Sequence, residues 1–138
     1  MSDKETVQIY ADGGSRGNPG PAGCGAVIMK GDQVIESVSE FLGQATNNVA
    51  EYTGLLRGLE KAKALGFDQV EVRMDSELVV KQMNGEYRVK HPGLIPLFQK
   101  AKQLVSAFRE FKIVHVRREE NKRADALANR AMDAGMLG

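Results

Sequence analysis

The sequence predicts a mixed α/β domain. Its five-stranded sheet has strands 1–3 antiparallel and strands 4 and 5 parallel to strand 1, with helices flanking it. Three observations carry this. The stretch before Gly43 holds three strand-like runs joined too closely for a parallel return, which needs a crossover of a dozen residues or more. At Asn48 the apolar residues change from alternation to a helical period. Beyond that point the strand-like runs are separated by helix-length stretches, which implies right-handed crossovers and parallel strands.

The elements follow in order. "TVQIYADGG" alternates apolar and polar residues and reads as strand 1. "SRGNPGPAG" is dense in glycine and proline and reads as a turn. "CGAVIMK" is strand 2, "GDQ" a hairpin connection and "VIESVSEFLG" strand 3. From Asn48 to Leu65, apolar residues at Ala50, Leu55, Leu59, Ala62 and Leu65 mark one helical face, and Gly66 is placed to close that helix. "QVEVRMD" is strand 4, and Ser76 opens a short helix running to Met83. "NGEYRVKHPG" is a loop, "LIPLFQKAKQLVSAF" an amphipathic helix, "KIVHVR" strand 5, and "NKRADALANRAMDAG" a closing helix with Asn121 placed as its N-cap. Strand 1 is expected beside strand 4, which brings Asp12 and Asp75 together.

Bulk composition narrows the function classes. The 138 residues suit one domain spanning 1–138, large enough to bury a core without staples. With 19 basic and 18 acidic side chains the net charge is +1, so binding of a polyanion has to come from local clustering. Cys24 is the only cysteine, which excludes an internal disulfide and fits a reduced, cytoplasmic setting. The opening "MSDKETVQIY" lacks the apolar stretch of a signal peptide, and no run is long enough to span a bilayer. A monomer is the default for a small domain so close to neutrality.

Four acids stand in distinctive settings. Asp12 and Asp75 each follow a strand-like run, while Glu51 and Asp125 sit where helices begin. Singly, each has an ordinary explanation: a turn at Asp12, a cap at Asp75, the helix macrodipole at Glu51 and Asp125. Gathered by the fold, they make a hard, oxygen-rich site suited to Mg²⁺ or Mn²⁺. Two such ions roughly 4 Å apart are a known means of cutting a phosphodiester. Gly13, Gly14, Gly17 and Gly20 fit neither the Walker nor the dinucleotide spacing, and a strand follows them, not a helix. They are expected to serve the turn between strands 1 and 2.

Four blocks in this order, "YADGGSRGNPGPAGCGAV", "TNNVAEYTGLLRGLEKA", "VRMDSELVVKQMNGEY" and "REENKRADALANRAMD", resemble the type 1 ribonuclease H family over nearly the whole chain. The resemblance implies a ribonuclease H-like fold and hydrolysis of the RNA strand of RNA–DNA hybrids, giving 5′-phosphate and 3′-hydroxyl ends. It implies that Asp12, Glu51, Asp75 and Asp125 are the catalytic, metal-binding acids for two ions. Asp12 would bridge both, Glu51 and Asp75 would complete one site, and Asp125 would help hold the ion that activates water. It also implies substrate contacts from Gly13, Ser15, Arg16, Asn18, Thr46, Asn47 and Asn48. Thr46 and Asn18 match positions that grip a DNA phosphate, and Asn47 and Asn48 match positions lining the minor groove. Arg16 reads equally as a backbone contact or a solvated loop arginine, and Asn47 or Asn48 also reads as the cap of the helix bearing Glu51.

The chain departs from the family pattern twice. The loop "RREENKRAD" lacks the histidine that many bacterial members carry before the last helix, and Arg118 or Glu119 is the candidate to cover its role. His115 reads as a strand-surface residue and His91 as a loop residue. There is no tryptophan, and "YRVKHPGL" is too short for the basic protrusion of some members. Tyr87, Arg88, Lys90 and His91 then read either as a reduced clamp or as ordinary solvated charge. Compact members include some that also cut double-stranded RNA, so that duplex joins the RNA–DNA hybrid as a candidate partner. Two other function classes stay open: a non-cutting nucleic-acid-binding module of the same fold, and a nuclease acting on DNA junctions. A domain detached from a longer polypeptide is a further reading.

Overall fold

The computed structural model describes residues 6–137. Residues 1–5, read above as part of a polar opening, lie outside them. The elements are β1 (Val7–Ser15), β2 (Gly20–Lys30), β3 (Gln33–Ala45), α1 (Asn47–Ala64), β4 (Gln69–Met74), α2 (Glu77–Met83), α3 (Ile95–Val105), β5 (Glu110–His115), a single 3₁₀ turn (Arg118–Glu120) and α4 (Lys122–Leu137). The strand order is β3-β2-β1-β4-β5. β1–β2 and β2–β3 pair antiparallel, while β1–β4 and β4–β5 pair parallel. This is the mixed sheet expected from connection lengths, with β1 beside β4.

Alternation along β1 sorts its side chains between the two faces. Val7, Ile9 and Ala11 join Val70, Val72 and Met74 of β4 and Tyr52, Leu55 and Leu59 of α1 in one fully buried core. α4 covers β2, β3 and β1, with Ala124, Ala128, Ala131 and Met132 buried. β2 therefore lies between two helices and is buried along nearly its whole length. The outer face of β4 and β5 is instead polar, with Arg73 over the Tyr10 ring and bonded to its hydroxyl at 2.6 Å.

Several boundaries differ from the sequence reading, for local reasons. β2 begins at Gly20, four residues before the expected Cys24, because Gly20–Gly23 pair with β3 although glycine and proline carry no strand signal. The glycines expected in the turn are mostly strand residues: Gly13 and Gly14 belong to β1 and Gly20 opens β2, leaving Gly17 (φ 106°) in the turn itself. β5 runs from Glu110 to His115, not from Lys112 to Arg117, because its parallel register with β4 starts at Gln69↔Glu110. α3 stops at Val105, short of Phe108. α1 starts at Asn47 with Thr46 as its cap, accepting from Val49 N at 3.2 Å, so neither Asn47 nor Asn48 caps it. Its end matches expectation: Gly66 N donates to Lys63 O and Phe67 N to Ala62 O, the paired bonds of a glycine-closed helix.

Candidate active site

Two close backbone approaches build the site. A Cβ on Gly54 of α1 would stand 2.5 Å from the Asp12 carbonyl oxygen, and one on Gly13 would stand 2.1 Å from the Ala50 carbonyl oxygen. α1 thus rests directly on the end of β1, and Glu51 arrives beside Asp12. On the other face, Gly25 pairs with Asp12 across the sheet, and a Cβ there would meet the Ala124 carbonyl oxygen at 2.6 Å. That approach lays the first turn of α4, and with it Asp125, against the same spot. Parallel pairing of Ala11 with Met74 brings Asp75 alongside Asp12.

Asp12, Glu51, Asp75 and Asp125 consequently line one open recess of about 480 Å³. Asp12 is buried; the other three are half-buried. Burial first, then the charge of Asp75, pushes Asp12 up to about 8, and a bond from its neutral form to Asp125 adds to the rise, while the Gly13 backbone N–H opposes it. Burial likewise pushes Glu51 up to about 7; the Ser76 hydroxyl opposes that rise and the charge of Asp75 adds to it. Among the described residues none of the four forms an ion pair with arginine, lysine or histidine. Glu51 is the fifth residue of α1, one turn beyond the positions where the macrodipole would favour an acid, and Ser76, not Asp75, caps α2.

The donors expected around the acids are interlocked. Asn47 Oδ1 accepts from Ser15 N at 2.8 Å, and Asn18 Oδ1 accepts from Asn47 N at 3.1 Å. A backbone N–H can pair only with the oxygen of each amide, so the orientation of both is fixed and the two NH₂ groups are left as donors. Ser15 Oγ donates to the Gly17 carbonyl oxygen. Gly13, Ser15, Arg16, Asn47 and Asn48 line the recess; Thr46 and Asn18 are not in its lining, one capping α1 and the other accepting from Asn47 N. Arg16 is drawn across to α4, paired with Asp133 and 3.3 Å from Asn129 Oδ1.

The two candidates for the missing histidine separate. Arg118 lines the acidic recess. Glu119 faces a different hollow, shared with Tyr10, Met29, Lys122 and Arg123, and lies 3.5 Å from Arg117. Successive residues of a 3₁₀ turn diverge by about 120°, so they cannot both face one site. His115 and His91 are exposed, and His91 Nδ1 accepts from Gly93 N at 2.9 Å. Tyr87 and Arg88 border a separate recess, with Lys81 5.1 Å from the centre of the Tyr87 ring.

Two residues read from the sequence only as helix starts also contact the acids. Ser76 Oγ donates to Glu51 Oε1 at 3.0 Å while accepting from Val79 N at 3.3 Å, so one cap also orients an acid. Asn121 does stand at the N-cap position ahead of Lys122, its carbonyl accepting from Asp125 N at 3.1 Å, but its side chain donates to Asp75 Oδ1 at 3.0 Å and to the Ala11 carbonyl at 2.9 Å. Its position one helical turn ahead of Asp125 was the available signal.

In chemistry this donor set fits a hard divalent cation: oxygens only, crowded, and in no ion pair with the arginines that share the recess. Among the described residues no three acid, histidine or cysteine side chains stand at the spacing of a finished cation cage. With Asp12 pushed up to about 8 by burial and by the neighbouring carboxylates, cation binding there competes with a proton.

Comparison with known proteins places this arrangement. A family profile described as "Reverse transcriptase-like" matches residues 10–131. The bifunctional protein Rv2228c of Mycobacterium tuberculosis is 53% identical over 130 residues, covering 93% of this chain and 36% of that protein. Ribonuclease HI of Halobacterium salinarum is 46% identical over 128 residues, covering 92% of this chain and 64% of its own. The chain therefore spans about a third to two-thirds of the length of these relatives. Among solved structures, RNase H1 of Halobacterium salinarum superposes with a TM-score of 0.91 at 45% identity, covering 94% of this chain and 98% of that one. LC11-RNase H1, solved in complex with an RNA/DNA hybrid, superposes with a TM-score of 0.90 at 45% identity, covering 94% and 99%.

Proposed function

The chain belongs to the type 1 ribonuclease H family, and on that footing we propose that its acidic recess hydrolyses the RNA strand of RNA–DNA hybrids, leaving 5′-phosphate and 3′-hydroxyl ends. The observation that carries the reading is four carboxylates converging on one recess, none of them in an ion pair among the described residues although Arg16 and Arg118 also line it. Asp12, Glu51, Asp75 and Asp125 are the groups that would hold Mg²⁺ or Mn²⁺, with Asp12 central because it adjoins both Asp75 and Asp125. Two such ions supply the charge that activates a water molecule and stabilises the leaving 3′-oxygen.

The remaining work falls to the chain's own side chains. The fixed NH₂ groups of Asn47 and Asn18 offer donors to acceptors, and a minor groove presents acceptors and 2′-hydroxyls with little sequence information. That supports selection by sugar type. Arg16, released from Asp133, and Arg118 at the mouth of the recess are placed to meet phosphate oxygens. Arg118 takes the position left by the missing histidine, as a fixed positive charge and not as a proton carrier. Tyr87 and Arg88 serve as a reduced clamp. Double-stranded RNA shares the 2′-hydroxyls and is a secondary substrate. The enzyme works as a monomeric catalytic unit in a reducing cytoplasm, where the buried Cys24, its thiol pushed up to about 12 by burial, stays inert. No helix among the described residues is long and apolar enough to cross a membrane.

The test compares labelled RNA–DNA hybrid, double-stranded RNA and double-stranded DNA, each with Mg²⁺ or Mn²⁺ and with EDTA. The hybrid is expected to be cut in its RNA strand only when the cation is present. Cleavage that persists in EDTA, or hybrid left intact with either cation, overturns the reading.

A further inference from the structure

Asn121 is almost completely buried, with 1% of its surface exposed. Both hydrogens of its amide are used, one on the Ala11 carbonyl and one on Asp75 Oδ1. Its Oδ1 is buried too and has no partner among the described residues. The amide cannot reverse, because its oxygen would then face two oxygens. Leaving a buried acceptor unpaired is unfavourable. A simple cap would turn its oxygen to the helix N–H groups. Side-chain capping therefore fails to explain this residue, whose two donated bonds come with a buried acceptor left unpaired.

Its contacts do explain it. Asp75 stands at the end of β4, half-buried, and among the described residues Asn121 is the side chain that bonds to its carboxylate. Ala11 immediately precedes Asp12. The backbone carbonyl of Asn121 accepts from Asp125 N at 3.1 Å. One residue thus joins the carboxylate of Asp75, the peptide ahead of Asp12 and the start of the turn that carries Asp125. Glu51 is the acid it does not reach, and Ser76 orients that one.

We propose that Asn121 is a positioning residue of the recess: its amide fixes the Asp75 carboxylate relative to Asp12 and so sets the affinity for the divalent cation. This rests on the cation-binding reading given above. The carboxylate oxygen that Asn121 holds is taken out of rotation, and the rest of the group faces the other acids. A donor behind the carboxylate also offsets part of its charge without adding a cation that would compete for the site. Removing such a supporting partner from a metal ligand ordinarily weakens metal affinity about 10- to 100-fold.

The experiment titrates Mn²⁺ into the full chain by calorimetry, without nucleic acid, and measures melting in EDTA alongside. Asn121→Leu keeps the volume and removes the donors. Asn121→Asp keeps the shape and sets acceptors against Ala11 and Asp75. Mn²⁺ affinity is expected to fall about 10- to 100-fold in Asn121→Leu and further in Asn121→Asp. The EDTA melting temperature of Asn121→Leu is expected to fall by no more than a few degrees, because loss of the donors to Ala11 and Asp75 is partly offset by removal of the unpaired acceptor. A merely structural residue would show the reverse, a lower melting temperature with Mn²⁺ affinity intact, and affinity within twofold of the parent in Asn121→Leu overturns the proposal. If that variant does not fold, Asn121→Asp decides by the same criterion. A parent chain that takes up no Mn²⁺ defeats the cation reading itself, an outcome distinct from a parent that binds and variants that bind equally well.

Discussion

Around the outside of the molecule, Glu40 and Glu60 reach Arg57, Glu71 reaches Arg73, Glu77 reaches Lys81, Asp68 reaches Arg109 and Asp133 reaches Arg16. At the ends of β1 and β4, Asp12, Glu51, Asp75 and Asp125 are met by one another, a serine and an amide. The outer acids are solvated and cheaply paired, each pair contributing about 0–1 kcal/mol. The inner acids are held by helix and strand packing against their own repulsion. Such an arrangement works against stability, and its retention at one place in the fold points to a task there.

The sharpest way to break this contrast is Asp12→Asn. Cleavage of hybrid is expected to fall roughly 10³-fold or more, about 4 kcal/mol in the barrier. In EDTA the same variant should melt a few degrees higher, since relief of about 1 kcal/mol moves a domain of this size by roughly 3 °C. Undiminished cleavage, or a lower melting temperature, would place Asp12 with the outer acids.

Next in size is pH. Asp12 is held near 8 and Glu51 near 7, both above their unfolded values. Between about pH 4 and those values the folded chain keeps protons that the unfolded chain has released, so metal-free stability falls as pH rises through that window and levels off above about 8. Asp12→Asn should flatten the slope, by on the order of 1–3 kcal/mol across the window. Because cations and protons compete for the same oxygens, cleavage should rise from pH 6 to 8, and more Mg²⁺ should move the rise to lower pH. Urea melts in EDTA across pH 5–9 check the first claim, and initial rates at two Mg²⁺ concentrations the second. A flat stability profile would mean the recess is far better solvated than its burial implies.

The contrast also separates what the sequence disclosed from what it concealed. Strand order was legible because "TVQIYAD" and "VEVRMD" alternate cleanly and the helical stretch between them forces a crossover. Gly66 marked the end of α1 through its backbone conformation. The acids were legible because each stands at the end or beginning of an element. Gly20–Gly23 did not read as strand, since their pairing and the approach of α4 come from tertiary contacts that glycine permits and does not advertise. Placing the start of α1 at Asn48 put Glu51 in the first turn; with Thr46 as the cap it lies one turn on, and the macrodipole no longer accounts for it. The bonds of Asn121 to Ala11, 110 positions away in sequence, and of Ser76 to Glu51 depend on juxtapositions that no local pattern encodes.

A smaller effect is expected at Asn47, where the neutral donors meet the acids. Asn47→Asp keeps an oxygen for Ser15 N and removes the NH₂ group. The hybrid KM should rise about 10-fold, near 1.4 kcal/mol, with kcat nearly unchanged, as expected when a binding contact is lost uniformly. A drop in kcat with KM preserved would instead assign Asn47 to the chemistry of the acids. The test is steady-state kinetics on a hybrid of defined sequence.

The smallest effect belongs to the outer acids, and it is the control for all the others. Arg57 fastens α1 to β3, with its Nε 2.7 Å from Glu40 and its Nη1 3.2 Å from Glu60. These side chains are about one-third exposed, so water and salt screen the attraction. Arg57→Ala should cost no more than about 1 kcal/mol, and 1 M NaCl should erase most of the difference in melting temperature. Cleavage should stay within twofold of the parent, because α1 is seated on β1 by Gly54 and Gly13, not by this pair. A larger loss of cleavage would show that the surface pairs help hold Glu51 in register. The division between acids that steady the fold and acids that serve the site would then dissolve.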